Sequence, residues 1–504
     1  MSGPTSPGSP DGPLPSRSRM LVLCFDGTSN EYDGENTNVV KFFAMLRKDC
    51  DDEQLCYYQT GIGTYLPPGM WSALSMWIAK IADEAIAWYL DAHVMDGYRF
   101  IMKNYRPGDK ISIFGFSRGA YTARALAGFL TKIGLLPRDN DEQVTFAYKM
   151  YQRTDKEGLI LAAGFKETFC RPVNIEFLGV WDTVASTGVI MSQDLPFTTN
   201  NTLIKTFRHA LSLDEHRAKF VPTFWTLSTP QPPKPKPGQG ATPAAVASSA
   251  GSRVNAPEAA NSPGGASDAD AQRSDAQEAH LLDSNKKSAP GREKKRRGLW
   301  LRFGKSKANG VHGAFSTQES DLDTTDVKQV WFAGCHSDVG GGAEKNNADG
   351  MLSDIPLRWM VREVVASQCG IQFDAATMAR LNVHVSLPGP EYFAAGINGT
   401  TPPGPRPSEV DITADQVDST KPLHDELKLD PLWWILEIIP LPFTWQDAKA
   451  KWHKKWEFHL GKGRYVNTSG PLLFHETVRM RMNDTTLKYT PHAIYEKGKE
   501  SYVW

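Results

Sequence analysis

The stretch Ile111-Ser-Ile-Phe-Gly-Phe-Ser-Arg-Gly-Ala-Tyr-Thr-Ala-Arg-Ala-Leu-Ala-Gly-Phe-Leu130 decides the fold. Ile111 to Phe114 is an apolar run with strand character, and the Ala- and Leu-rich residues from Ala120 onward favour a helix. Between them Gly115-Phe-Ser-Arg-Gly119 fits Gly-x-Ser-x-Gly. A strand, a sharp Gly-flanked turn and a helix are the context of a nucleophile elbow. The glycines remove side chains where strand and helix crowd together. Ser117 is thereby placed at the carboxyl edge of a sheet, where the first helical amides favour negative charge. The motif alone also fits an ordinary strand-to-helix turn; its flanks favour a nucleophilic serine.

Working outward, Met20-Leu-Val-Leu-Cys-Phe25 reads as a buried parallel strand that ends in the loop Asp26-Gly-Thr-Ser-Asn30. Asn38 to Arg47 reads as a helix, Gln54 to Gln59 as a strand, and Trp71 to Tyr105 as largely helical. Thr145 to Arg153 is helical, and Asn174 to Trp181 is a strand ending at Asp182. Lys205 to Phe220 carries His209 and His216 in a helical pattern, followed by a strand over Val221 to Leu227. Val327 to Ala333 is a strand ending at Gly334-Cys-His-Ser-Asp-Val-Gly-Gly-Gly342, Asp354 to Gln368 is a helix, and Asn382 to Leu387 is a last strand. The sum is an α/β-hydrolase fold, a mostly parallel sheet flanked by helices, over residues 19–504.

Other segments look different. Residues 1–18 are rich in Pro, Ser and Gly, with no apolar region of a secretory signal. Residues 228–326 are dense in Pro, Ala, Gly, Ser, Asp and Lys and read as a disordered insertion, too poor in large apolar groups to offset ordering entropy. Within them Lys286 to Lys307 holds ten Lys or Arg against one acid, interleaved with Leu299, Trp300, Leu301 and Phe303. A solvated charge run, peripheral contact with an anionic membrane and nuclear import are its readings. Residues 423–504, a Trp-rich tail, are expected to cap the sheet edge and shape the substrate mouth. Leu432 to Leu441 is too short to span a bilayer; a buried helix and a lipid-facing lip are its two readings, and burial is the favoured one.

The chain has 504 residues, 40% of them apolar, and a net charge of −1, which gives no sign of a nucleic-acid partner. No run of about 18 apolar residues occurs, because Lys80, Asp83, Glu84 and Asp91 break the nearest one. Six cysteines without zinc-ligand spacing read as reduced thiols in a reducing compartment; a cytoplasmic location is the expectation, with peripheral membrane or nucleus as alternatives. Neither a metal nor an organic cofactor is implied.

Three strands end in the residues of a serine hydrolase, in the chain order Ser117, Asp182, His336. His336 is the expected base and Asp182 its orienting carboxylate. The amide of Arg118, with that of Gly27 or Thr28, is expected to form the oxyanion hole. Asp26, Asp338 and His475 stand as supporting candidates, His475 being a rival base and Asp338 a turn cap. A phosphate or anhydride hydrolase using Asp26, or an inactive binding protein with this fold, are the alternatives.

Phe25-Asp-Gly-Thr28, Gly115 to Ala120 with Arg124, Trp181-Asp-Thr-Val-Ala185, His209 to Arg217 and Gly334 to Gly342 together resemble the α/β-hydrolase domain of the type VI secretion phospholipase effectors, also found in fungal proteins. The resemblance covers roughly residues 19–370 without the insertion. It implies a lipase or phospholipase whose triad falls on Ser117, Asp182 and His336. The insertion and the tail lie outside the shared core.

Overall fold

The computed structural model describes residues 18–27, 30, 32–61, 90–184, 195–226, 325–385, 407–446, 452–466 and 471–504, with backbone only for 441–446 and 452–454. Eight strands form its main sheet. They are β1 (Met20–Phe25), β2 (Gln54–Gln59), β3 (Lys110–Phe116), β4 (Ile175–Trp181), β5 (Ile204–Ser212), β6 (Asp326–Phe332), β9 (Leu472–His475) and β10 (Glu500–Val503); β7 (Leu441–Gln446) and β8 (Trp452–Glu457) make a separate antiparallel hairpin. The order is β10-β9-β6-β5-β4-β3-β1-β2, and each neighbouring pair is parallel.

Among the described residues the α-helices, in chain order, are α1 (Asn38–Met45), α2 (residues 90–104), α3 (Ser117–Ile133), α4 (Asp141–Gln152), α5 (Lys156–Phe169), α6 (His336–Gly340), α7 (Asp354–Ser367), α8 (Ala375–Arg380), α9 (Glu409–Asp418), α10 (Glu426–Leu429), α11 (Trp434–Glu437) and α12 (Glu476–Asn483). Strand pleating divides the core between two helical layers. Leu21, Leu23 and Phe25 of β1 pack with Tyr98 of α2 and Leu126 of α3 on one face. Met20, Val22 and Cys24 pack with Phe42 of α1 and Met360 of α7 on the other. Strands buried on both faces are continuous apolar runs, as β1 is.

Parallel register lines up the strand ends. Phe25 lies opposite Gly115, Phe116 opposite Trp181, Trp181 opposite Ala210 and Ser212 opposite Phe332. The residues that follow, Asp26, Ser117, Asp182 and the 333–336 turn, therefore emerge at one carboxyl edge, where open α/β sheets bind ligands.

Four expectations change. The segment from Lys205 is strand β5, not helix, through Ser212; buried on both faces, it shows no polar alternation to distinguish the two periods. Residues 221–226 make only an isolated bridge, between Val184 and Pro222, whose ring supplies no donor to a ladder. Residues 382–385 are turn and irregular chain, and 386–387 lie outside the described residues. Leu432, Trp434, Ile435 and Ile438 are 45–60% exposed rather than buried. The buried place in that segment is taken by Glu437, whose carboxylate accepts from the Ala218 and Gly461 amides and from His459 Nδ1. A satisfied buried carboxylate turns its apolar neighbours outward.

The tail meets the sheet edge by pairing in it, since β9 adds to β6 and β10 to β9. Asp326 opens β6 and accepts from Arg208, so the sheet begins inside the last residue assigned to the insertion. Residues 228–324 of the insertion, Lys286 to Lys307 among them, and residues 1–17 and 71–89 lie outside the described residues. Among the described residues, no helix is long and apolar enough to cross a membrane.

A Cβ at Gly119 would sit 2.3 Å from the Asp26 carbonyl oxygen and 2.4 Å from that of Phe25, whereas one at Gly164 in α5 meets nothing within 4 Å. Gly119→Ala is expected to lower the unfolding free energy by about 2 kcal/mol. Gly164→Ala is expected to raise it by about 0.5–1 kcal/mol, and urea unfolding of both variants checks the contrast.

Candidate active site

Ser117 is the first residue of α3 and holds φ 57°, a left-handed conformation costly for a residue with a Cβ. The neighbouring glycines permit the turn: a Cβ at Gly115 would lie 2.5 Å from the Gly119 carbonyl oxygen. The Phe116 ring closes the turn from outside and packs against the His336 ring, with centroids 4.6 Å apart.

His336 opens α6, four residues past β6. Its Nε2 lies 2.8 Å from Ser117 Oγ and its Nδ1 2.5 Å from Asp182 Oδ2. An ionised carboxylate only accepts, so Nδ1 carries the proton and Nε2 is left to accept from the serine hydroxyl. Asp182 follows β4 with φ 37° and is fully buried. Its Oδ1 accepts from the Ser212 amide at 3.0 Å and from Arg464 Nη1 at 2.6 Å, and its Oδ2 also accepts from Arg464 Nη2 at 2.9 Å.

Burial alone would push the Asp182 carboxyl up, but the Arg464 guanidinium and His336 outweigh it and hold the group well below the usual carboxylate range. Burial pushes the His336 imidazole down from its ordinary 6.5, against the upward pull of Asp182 and Glu215. A neutral imidazole with its proton on the far nitrogen can take a proton from a hydroxyl.

Around this chain sits a second buried pair. Glu215 accepts from the His336 amide at 3.2 Å and from the Arg217 side chain at 2.8 and 2.9 Å. Burial raises its carboxyl, yet Arg217 brings it down to about 2. Arg217 in turn lies 3.7 Å over the Phe220 ring, and Phe220 packs edge-on to His336.

Arg118 is the second residue of α3, in the turn ahead of intrahelical bonding. The Gly27 amide donates to Asp26 Oδ1 at 2.7 Å, so it is committed to its own loop. Thr28 lies outside the described residues. Asp26 also accepts from Thr37 Oγ1 at 2.8 and 3.0 Å and from Tyr58 OH at 2.7 Å, which makes it the anchor of the loop after β1. Its carboxyl is raised by burial despite those donors.

Asp338 accepts from the Cys335 and His424 amides and from His424 Nδ1, tying α6 to the tail. His475 bonds Thr477 Oγ1 at 2.9 Å and stacks on Phe332, in the wall behind β6. His209 is a core residue: its Nε2 accepts from the Thr183 amide at 3.1 Å, and burial brings its imidazole down to about 3. Among the described residues, no group of three or more His, Cys, Asp or Glu could hold a metal ion.

Sequence reasoning missed Arg464 and left Glu215 without a role. Glu215 sat inside the quoted His209–Arg217 motif, whereas Arg464 lies in Gly461-Lys-Gly-Arg464, which carries no chemical signature.

The chain matches the family described as "T6SS, Phospholipase effector Tle1-like, catalytic domain" over residues 19–363. It is 28% identical over 538 residues to "Uncharacterized protein YEL023C" of Saccharomyces cerevisiae, covering 90% of this chain and 77% of that one. Two solved structures are similar. One is an uncharacterized protein from Pseudomonas aeruginosa (15% identity, TM-score 0.30, 80% of this chain and 53% of that one). The other is the Tle1 effector bound to the VgrG spike of the type 6 secretion system (18% identity, TM-score 0.24, 44% of this chain and 52% of that one). This chain thus spans about half the length of those two solved chains. With the matched region covering most of its length, the chain belongs to the Tle1-like phospholipase effector family through the catalytic domain of that family.

Proposed function

We propose that this protein hydrolyses carboxylic esters of lipids, phospholipids among them, through an acyl-serine intermediate. The observation that carries the reading is the hydrogen-bonded line from Ser117 through His336 to a buried, ionised Asp182. Ser117 Oγ attacks the acyl carbonyl while its proton passes to His336 Nε2, and Asp182 stabilises the imidazolium. The tetrahedral oxyanion is met by the Arg118 amide and one from the loop after β1; with Gly27 engaged by Asp26, Thr28 is the loop's candidate. His336 then gives its proton to the leaving alcohol oxygen. Water enters as the second nucleophile by the same route, releases the acid and restores Ser117.

The family supports lipid as the substrate class. So does the apolar surface around the site: Trp433 packs on Phe220, Phe220 on His336, and Leu432, Trp434, Ile435 and Ile438 beside it face solvent. A phosphate hydrolase working through Asp26 finds less support, because both oxygens of that carboxylate are occupied by donors from its own loop and strands.

Ser117→Ala is expected to lower kcat on a short-chain ester by about 10³-fold or more, and a fluorophosphonate probe to label Ser117 alone. Full turnover by the alanine variant, or labelling elsewhere, rejects the mechanism.

Because burial lowers His336, the base stays neutral as pH falls past the ordinary 6.5, and activity is lost only when the coupled His336–Asp182 pair takes up a proton. The acidic limb of kcat/KM is therefore expected to have its midpoint below 6.5, measured with a soluble ester in buffers of constant ionic strength.

Removing residues 228–324 is expected to leave short-chain ester turnover within about twofold of the full chain. Loss of Lys286 to Lys307 in the same variant is expected to weaken sedimentation with phosphatidylserine vesicles; unchanged sedimentation retires the basic stretch as a membrane contact.

A further inference from the structure

Arg464 lies beyond the residues that match the family's catalytic domain, which end at 363. Its guanidinium is nonetheless buried inside the site, with 4% of the side chain exposed. Two nitrogens span the Asp182 carboxylate, Nη1 to Oδ1 and Nη2 to Oδ2, and the same nitrogens reach the Ser212 carbonyl at 3.1 Å and the Phe220 carbonyl at 2.7 Å. A planar fork set on a carboxylate fixes its plane, which a point charge does not. Its backbone is fixed as well: Ile494 N–H donates to the Arg464 carbonyl, and Val466 N–H to that of Ile494. Neither carbonyl partner belongs to the tail, so the arginine joins β4, the end of β5 and the Phe220 turn at one point.

We propose that Arg464 is the positioning residue that holds Asp182 in the plane His336 requires, so that the region beyond the matched catalytic domain completes the site. The inference rests on the ester-hydrolase reading above. Arg464 touches no reacting atom. It acts through Asp182, which must present Oδ2 to His336 Nδ1–H for the other nitrogen to face Ser117. Three further contacts place the tail on the same machinery. His424 bonds Asp338 of the helix that begins with His336, and Tyr489 OH and the His492 amide bond Asp214 beside Glu215.

The test uses the full chain, its Arg464→Met and Arg464→Lys variants, and a soluble chromogenic short-chain ester. Active sites are counted with a fluorophosphonate so that loss of folded protein does not count as loss of rate. Arg464→Met is expected to lower kcat per titrated site by about 100-fold with KM within about twofold, as when the orienting carboxylate loses its geometry. Arg464→Lys, which keeps the charge without the fork, is expected to recover about tenfold of that loss. A merely structural arginine leaves kcat per titrated site unchanged and lowers only the number of sites, and that result overturns the proposal. Equal rates for the methionine and lysine variants also overturn it. If the methionine variant does not fold, the lysine variant decides: kcat about tenfold below the parent supports the proposal, and an unchanged kcat rejects it. Failure of the probe to label the unsubstituted protein rejects the hydrolase reading and this inference together; normal labelling with indifferent Arg464 variants rejects this inference alone.

Discussion

The site depends on one buried negative charge. Asp182 has no exposed surface, and a carboxylate in that position is strongly disfavoured unless it is paired and fully hydrogen-bonded. Here its two oxygens accept from the Ser212 amide, both ends of the Arg464 fork and His336 Nδ1. The ionised state follows from that set, and from the ionised state follows the tautomer of His336. The hydrogen-bonded line from Ser117 Oγ thus runs through His336 and Asp182 to the Arg464 fork, three groups away.

The sheet makes this economical in residues. Because every neighbouring strand is parallel, each crossover returns the chain to the same end of the sheet, and residues far apart in sequence meet at one carboxyl edge. Ser117 and Asp182 are the first residues after paired strand ends, Phe116 and Trp181. His336 lies four residues past β6, and both β5 and β4 separate that strand from β3, which Ser117 follows. Asp338 then caps the short helix that starts at His336, and Gly340 packs so closely on Phe116 that a Cβ there would lie 1.8 Å from the ring. Serine and histidine are therefore braced by the same aromatic side chain.

The parts of this arrangement that the chain advertises are those where local sequence and chemistry coincide. Ser117, Asp182 and His336 each close an apolar run, and the glycines around Ser117 answer a backbone crowding that no other residue tolerates. The reading of β5 as helix fails for a definite reason: Thr206 to Ser212 is buried on both faces, so neither the alternation of a half-exposed strand nor the stripe of a helix is present. Leu432 to Ile438 was misjudged because a single glutamate, not its apolar neighbours, occupies the interior. Arg464 was illegible altogether. Its importance is a matter of where a distant segment returns in space, and one arginine between glycine and tyrosine carries no trace of that.

That return has a consequence in time. Asp182 and its counter-ion are separated by 282 residues. At the usual pace of protein synthesis, about 5–20 residues per second, roughly half a minute passes on the ribosome between the making of the acid and the making of the base that neutralises it. On the roles proposed for these residues, a nascent chain that already holds Ser117, Asp182 and His336 still lacks the fork that fixes the aspartate until Arg464 has emerged.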